Sequence, residues 1–415
     1  MKVVVAGVGS RGDMQPLFAL ALALRERGHE VAMAGPPDFT AWAAGLGLPY
    51  REMGASFEAN VRDVQELAER RPLAALTLPV VAELLAAQFA VVEEACRGAD
   101  LLVGNGALPA GPSVARAAGI PCFLAILQPT WVRNDAFPPI FVSWQRLPRW
   151  ARSIAWGVFS ATFDTVFGRQ VNRGRKRLGL PPIRGFTTHL RAEAHLLMAF
   201  DPAVAGPLPD WDLPHTVTGY WWLDDPAPLP PDLAAFLAAG PPPVYVGFGS
   251  MTAKDAVART KLIVAAAETA GVRAVISAGW AGLGRDVALP ATCLAIGAVP
   301  HADLFPRCAA IVHHGGAGTT AAAARSGRPQ VVVCHVLDQY FWGFQVRQRG
   351  IAPEPIPIGK LTAPRLAAAI EEACADPALA ARAAATGEAL RARDGLAEAV
   401  ALLEAVHRPT EPVVR

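Results

Sequence analysis

Cysteine, tyrosine and clean apolar runs are all scarce in this chain. Six cysteines are scattered over 415 residues, at Cys96, Cys122, Cys293, Cys308, Cys334 and Cys374. None forms a C-x-x-C pair, and most lie in apolar runs, which excludes a disulfide framework and a cysteine-based metal site. Cys334 and His335 are neighbours but have no further ligand nearby in sequence. Buried free thiols in a reducing compartment are the simplest reading. The most apolar region, 74–92, is broken by Pro79, Glu83 and Gln88, so no transmembrane span is expected. The first residues, Met1 to Gly7, are too short for a signal-peptide core. A soluble, cytoplasmic protein is therefore expected. Net charge is only +2, which gives no electrostatic footprint for nucleic acid.

What is abundant is apolar residues, at 52% of the chain, enough to build a large core. A length of 415 residues exceeds one ordinary core and predicts two domains. Short apolar runs at Val3–Ala6, Val31–Ala34, Leu101–Val103 and Cys122–Leu127 alternate with helical patterns, the first helix from about Pro16 to Arg27. After the Pro-rich stretch 224–231 the pattern restarts at Val244–Phe248, Ala274–Ser277, Cys293–Ile296, Ala310–Val312 and Val331–Cys334. Such alternation predicts α/β halves built on parallel sheets. The expected division is 1–215 as a first Rossmann-like half, 216–243 as a Pro-rich linker region and 244–390 as a second Rossmann-like half. The remainder, 391–415, reads as a C-terminal helix and tail able to pack back on the first half.

One segment stands out. His313-His314-Gly315-Gly316-Ala317-Gly318-Thr319-Thr320 follows an apolar strand and precedes an alanine-rich helix. Unpaired backbone N–H groups at such a turn, together with the helix dipole, make an anion site, and phosphate is the usual guest. The next strand leads into Asp338-Gln339, a carboxylate and an amide suited to sugar hydroxyls. Phosphate ligands and sugar ligands one strand apart point to a nucleotide-sugar site.

Two other motifs have plainer readings. Gly7-Val8-Gly9-Ser10-Arg11-Gly12 fits the dinucleotide turn, but the second strand ends without the acid that would hold a ribose until Asp38. A dinucleotide oxidoreductase is thus a weak third reading. Asp210-Trp211-Asp212 is a D-x-D, with His215 nearby, set between Pro209 and Pro214. A surface turn accounts for it, and no metal site is expected.

The motifs taken together resemble GT-B-fold nucleotide-sugar glycosyltransferases, in the bacterial antibiotic and sterol glycosyltransferase branch. The resemblance runs over nearly the whole chain: Gly9 to Pro16, Gly219-Tyr220-Trp221, Val246 to Met251, Ser277 to Trp280, Val299 to Phe305, His313 to Thr320 and Asp338 to Gly343. It implies two Rossmann-like α/β domains facing each other across a cleft, with the acceptor in the first and the donor in the second. It also implies inverting, metal-independent transfer of a sugar from a UDP- or dTDP-linked donor to a hydroxyl of a small lipophilic acceptor, with no cofactor. A secondary-metabolite aglycone is the expected acceptor, and a sterol or other lipid is the alternative. A non-catalytic nucleotide-sugar-binding protein of the same fold is the alternative from another class.

Each candidate residue has a bland counterpart. Asp13 is the expected general base for the acceptor hydroxyl, against a helix N-cap; Asp338 is its rival. His313 is the expected phosphate contact, against a hydrogen-bonded core histidine, with His314 sharing the role or merely packing. Gly315, Gly316, Gly318 and Thr319 are expected to supply backbone donors and a hydroxyl, and Ser250 a second phosphate contact. Trp280 offers an indole face to the base, against a core tryptophan, and Val299 a backbone contact to the base edge. Asp338 and Gln339 are expected on the sugar. Phe137, Phe141 and Trp144 would line a lipophilic acceptor pocket. The arginine–aromatic stretch from Trp144 to Phe159 leaves a peripheral membrane contact open, beside an ordinary half-buried helix.

Overall fold

The computed structural model describes residues 1–59, 79–224, 228–251 and 255–407. Part of the apolar region 74–92, part of the Pro-rich linker (225–227) and the end of the tail (408–415) lie outside the described residues.

Two parallel sheets organise the chain. The first holds β1 (Lys2–Ala6), β2 (Glu30–Gly35), β3 (Tyr50–Glu52), β4 (Leu101–Asn105), β5 (Cys122–Ile126), β6 (His195–Met198) and β7 (His215–Val217). Their order across the sheet is β3-β2-β1-β4-β5-β6-β7. The second holds β8 (Val244–Gly247), β9 (Ala274–Ser277), β10 (Cys293–Ile296), β11 (Ile311–His313), β12 (Gln330–Cys334) and β13 (Ile356–Pro357), in the order β10-β9-β8-β11-β12-β13. The central strands are almost wholly buried, which is why they read as unbroken apolar runs such as Lys2–Ala6 and Gln330–Cys334.

Each sheet has the doubly wound arrangement, in which strand order reverses beside the first strand. Ligands bind such sheets beyond the strand ends at that reversal. In the first sheet the reversal lies between β1 and β4, above the loop Gly7–Gly12. In the second it lies between β8 and β11, above Phe248–Ser250 and His314–Gly316. The two glycine-rich segments singled out in the sequence are therefore the two reversal loops. They face each other: a Cβ built on Gly318 would lie 3.7 Å from Cα of Gly12.

The chain crosses between the halves twice. After the second sheet it returns, and the helix Gly395–His407 packs beside the first helix, Arg11–Glu26. Ala399, Val400 and Leu403 enter the apolar core of the first half, and Glu404 takes hydrogen bonds from Arg27 and an imidazole contact from His29 at 3.0 Å. Gly395 sits where a Cβ would meet the carbonyl oxygens of Tyr220 and Thr218, at 2.5 and 2.6 Å. Only a residue without a side chain lets these two crossings lie against each other.

Most strands begin and end within a residue or two of the sequence expectation. The first helix starts at Arg11, behind the N-cap Ser10, and not near Pro16, which lies inside the helix. That shift moves Asp13 from a position ahead of the helix to the third residue inside it. Strands β3, β6, β7 and β13 have two to four residues each and fall below what periodicity can register.

Candidate active site

The turn after β11 is held by the ring of His313. Its Nδ1 accepts the N–H of Gly315 at 3.0 Å, and its Nε2 lies 2.8 Å from Oε1 of Gln330. This network assigns the proton to Nε2, which donates to the amide oxygen. The ring is fully buried, and burial holds it neutral, with a pKa of about 4. Gly315 follows at φ +90°, a conformation that favours glycine, and a Cβ there would lie 2.8 Å from Cγ1 of Val332.

His314 points the other way. Its Nδ1 is buried and has no hydrogen-bond partner among the described residues. Burial, reinforced by His313, His335 and His301, pushes its pKa well below the ordinary value, so the ring is neutral. A buried polar atom with no partner is costly unless a ligand completes it. The ring fills the space beside Gly316, where a Cβ would fall 2.4 Å from Nε2. The first intrahelical bond of the following helix runs from Thr320 N–H to Gly316 O. The N–H groups of Gly318 and Thr319 therefore precede the helix's own ladder, as helix starts require.

Neighbouring loops close around this turn. Gly249 lies against His314, and its carbonyl accepts the N–H of Trp280 at 3.0 Å. Ser250 and the Trp280 side chain are both half-buried, and Val299 packs at the edge of the Tyr245–Phe305 cluster. Gln339 is 4% exposed; its Oε1 accepts the N–H groups of His335 and Val336, and its Nε2 contacts Sδ of Met251 at 3.3 Å. The amide expected on a sugar thus also ties the 335–339 loop to the loop after β8.

Two carboxyls face the turn from opposite halves. Asp13 accepts from the backbone N–H of Ser10 at 2.8 Å and from its hydroxyl at 2.9 Å, both on Oδ2. Ser10 is the helix N-cap and Asp13 completes the capping box. Burial raises the Asp13 pKa, against those two bonds. Asp338 opens the helix Gln339–Gln348; its Oδ2 accepts from the indole of Trp342 at 3.1 Å, and the N–H of Ala317 also bonds it. Burial first, and the charge of Asp13 second, push the Asp338 carboxyl up to about 7. The preceding residue, Leu337, holds φ +53°, an uncommon left-handed conformation outside glycine.

Arg11, which sequence reasoning passed over, sits in the same place. Its guanidinium lies 4.8 Å over the ring of Trp42, and its charge is the second cause, after burial, that lowers the His301 pKa to about 4. Its position inside a weak G-x-G-x-x-G match was the available signal.

The acceptor candidates divide. Phe137 packs edge-on to Phe341 across the halves, with centroids 5.0 Å apart. Phe141 lies against Phe159 and Phe163 in an aromatic stack of the first half. Trp144 is 66% exposed. Of the motifs set aside, Asp38 directs its carboxylate to Ser56 and the N–H groups of Phe57 and Glu58. Asp212 pairs with Arg191, and Trp211 is buried. Among the described residues no group of His, Cys, Asp or Glu could hold a metal ion, and no helix is long and apolar enough to cross a membrane.

Comparison with known proteins agrees with this geometry. The Glycosyltransferase family 28 N-terminal domain matches residues 3–125, and the Erythromycin biosynthesis protein CIII-like C-terminal domain matches residues 273–406. The chain is 37% identical to the vancomycin aglycone glucosyltransferase of Amycolatopsis orientalis, over 98% of both chains. It is 35% identical to the O-mycaminosyltylonolide 6-deoxyallosyltransferase of Streptomyces fradiae, over 97% of both. A sterol 3-beta-glucosyltransferase of Yarrowia lipolytica is 33% identical over 97% of this chain and 28% of its own length. Among solved structures, the kitacinnamycin glycosyltransferase superposes with a TM-score of 0.74 at 20% identity, covering 97% of this chain and 98% of that one. The glycosyltransferase VinC, in complex with dTDP, gives 0.68 at 22% identity, covering 98% and 99%. These structural likenesses establish the two-domain GT-B fold.

The raised Asp338 pKa has a consequence for stability. Between ~pH 4, where a free aspartate titrates, and about pH 7, the folded chain holds a proton at Asp338 that the unfolded chain has lost. Its contribution is therefore full below ~pH 4 and is lost as pH rises to about 7. Asp338→Asn removes this term. The variant should melt close to the parent near pH 4 and progressively above it towards pH 7. Parallel melting curves across that range would place the raised pKa elsewhere.

Proposed function

This chain belongs to the glycosyltransferases of that antibiotic and sterol branch, and from that premise we propose an inverting, metal-independent transfer with a specific division of labour. The donor is a UDP- or dTDP-linked sugar, bound by the second half. The acceptor is a hydroxyl of a small lipophilic molecule, bound by the first half beside Phe137. A secondary-metabolite aglycone fits the relatives that match along their full length; a sterol or other lipid is the second reading, favoured by the exposed aromatic residues around Trp144.

The observation that carries the donor site is the unpartnered Nδ1 of His314. In this reading His314, with the N–H groups of Gly318 and Thr319, receives the diphosphate. His313, with both ring nitrogens engaged internally, acts by shaping the turn. The phosphate contact expected of His313 thus moves one residue along the chain. Ser250 supports the diphosphate, and Trp280 and Val299 flank the base. Asp338 and Gln339 face the sugar. Arg11 adds a positive charge from the opposite half.

The chemistry is a single displacement. The acceptor oxygen attacks the anomeric carbon from the side opposite the diphosphate. Its proton passes to Asp13, through the oxygen outside the capping box. The bond from the anomeric carbon to the phosphate oxygen breaks, and its electron pair leaves on the diphosphate. Neutral donors and a helix N-terminus stabilise that charge without a cation. Attack from the opposite face inverts the anomeric configuration. Asp338, with its pKa near 7, is the rival base: it matches neutral pH better than an ordinary aspartate.

Three measurements test this. Asp13→Asn should lower kcat by at least roughly a hundredfold, within the range for loss of a general base, while donor affinity changes little. Near-normal turnover would move the role to Asp338.

His314→Ala should weaken dTDP or UDP binding far more than thymidine or uridine binding, because the lost contact is to phosphate. His313→Ala, which loosens the whole turn, should weaken both. Calorimetry on the four ligands decides, and the opposite pattern would return the contact to His313.

Transfer should survive exhaustive chelation. Complete loss restored by Mg²⁺ or Mn²⁺ would give the diphosphate a metal partner and remove the metal-independent reading.

A further inference from the structure

The long helix Arg149–Arg177 has an inner face that its neighbours explain and an outer face that they do not. Inward, Trp156, Phe159, Phe163 and Phe167 are buried in a stack with centroids 4.3 and 4.9 Å apart for the last two pairs. Outward, the first turns present Trp150, Ile154 and Val158 at successive i, i+4 positions, 69%, 60% and 50% exposed. Gly157 and Ala161, also exposed, continue this face, and no acidic residue occurs on the helix before Asp164. A surface helix ordinarily turns charged and polar residues to water; one that is apolar on both faces has a second apolar or interfacial neighbour. Among the described residues, four of the five exposed large hydrophobic side chains (Trp144, Trp150, Ile154 and Val158) lie in this one stretch.

The charge around the stripe is one-sided. Arg146, Arg149 and Arg152 cluster where the helix begins, and its first turn has no acidic residue. Cations at a helix N-terminus oppose the helix dipole, whereas anionic groups are favoured there. Within the fold, Arg149 meets only Asp135, and both are largely in water. Arg146 lies 5.7 Å over the ring of Phe344, and Arg152 donates to the carbonyl of Leu147. Among the described residues, Asp135 is the acidic side chain that pairs with this cluster, through Arg149.

We propose that this face, from Trp144 to Val158, seats on an anionic lipid bilayer. Trp150, Ile154 and Val158 enter the boundary between headgroups and acyl chains, and the arginines lie among headgroup phosphates. Tryptophan favours that boundary, and a basic rim adds affinity for anionic lipid. The stripe runs along the water-facing side of one helix, which suits a bilayer better than a small ligand, whose sites are concave. A second copy fits less well: an isologous contact would set this basic surface against an identical basic surface. The surface stands apart from the donor and base assignments above, so its test is separable from theirs.

The experiment is sedimentation of the full chain with vesicles, either pure phosphatidylcholine or phosphatidylcholine mixed with phosphatidylglycerol. Binding is expected to the mixed vesicles, weaker to the neutral ones, and reduced by added salt. Trp150→Ser with Ile154→Ser should weaken partitioning at least about tenfold, the order set by losing one large buried side chain. Arg149→Glu should erase the preference for anionic lipid. Both variants should keep the parent melting temperature and dTDP affinity, which separates loss of the surface from loss of the fold. Failure of the full chain to bind mixed vesicles would overturn the proposal, as would equal binding by the double variant. So would a dimer in ultracentrifugation that the double variant dissociates without any vesicle binding, since the occupant would then be a second copy.

Discussion

The imidazole of His313 accepts one hydrogen bond and donates another, and both partners lie inside the protein. Through Nδ1 it fixes the N–H of Gly315, and through Nε2 it holds Gln330 at the start of β12. This one ring therefore sets the path of the chain as it leaves β11. The left-handed Gly315 follows, then Gly316 as the helix N-cap. Only with that path fixed does the His314 ring lie between Gly249 and Gly316 with a buried, unpartnered nitrogen, and only then does the helix start at Ala317. If His313 charged, Nδ1 would lose its acceptor role and the turn its stitch. Burial, which keeps the ring neutral at about pKa 4, protects the geometry as well as the charge state.

The electrostatics around that point follow from the same burial. His301, His313, His314 and His335 are all pushed towards the neutral form. They give the second half polar atoms without fixed positive charge. The two carboxyls facing the turn affect each other: the charge on Asp13 helps to hold the proton on Asp338. A protonated Asp338 can keep its bonds from Trp342 and Ala317 without a second negative charge beside Asp13. Coupled carboxyls share such protons as a pair, so removing either changes the basicity of the other. This is also why the left-handed backbone at Leu337 is informative: it directly precedes a buried carboxyl that feels the charge of another.

Much of this was legible in the sequence, and the reasons are local. Buried parallel strands read as apolar runs, so β1, β8, β9, β10 and β12 were visible to within a residue or two. The glycine-rich turn was visible because glycine is required at Gly315 and Gly316 for separate reasons, backbone conformation and the room for a ring. What sequence could not resolve was direction. His313 and His314 are adjacent and chemically identical; what distinguishes them is that both nitrogens of His313 are bonded inside the protein while Nδ1 of His314 has no partner among the described residues. Asp13 was similarly ambiguous, because Pro16 appeared to mark the helix start when it lies inside the first turns. The structure keeps both roles open to one side chain: one oxygen serves the capping box and the other is left outside it. The edge strands β3 and β7 were invisible because partly exposed three-residue strands carry too little pattern.

The return of the C-terminal helix ties the site to the whole chain. Gly395 allows the second crossing to lie on the carbonyls of Thr218 and Tyr220 in the first. Arg393 then bonds both Asp201 and the carbonyl of Val217, while holding Glu398 at the head of the returning helix. The two crossings are thus fastened to each other and to the first half. The halves also pack together away from the crossings: the short helix Pro202–Ala205 lies against the helices Gln339–Gln348 and Pro377–Arg391, Phe137 meets Phe341, and Arg146 lies over Phe344. At the reversal loops themselves the approach is that of Gly12 to Gly318. The bonds that complete the first core therefore also help to hold the two reversal loops opposite each other.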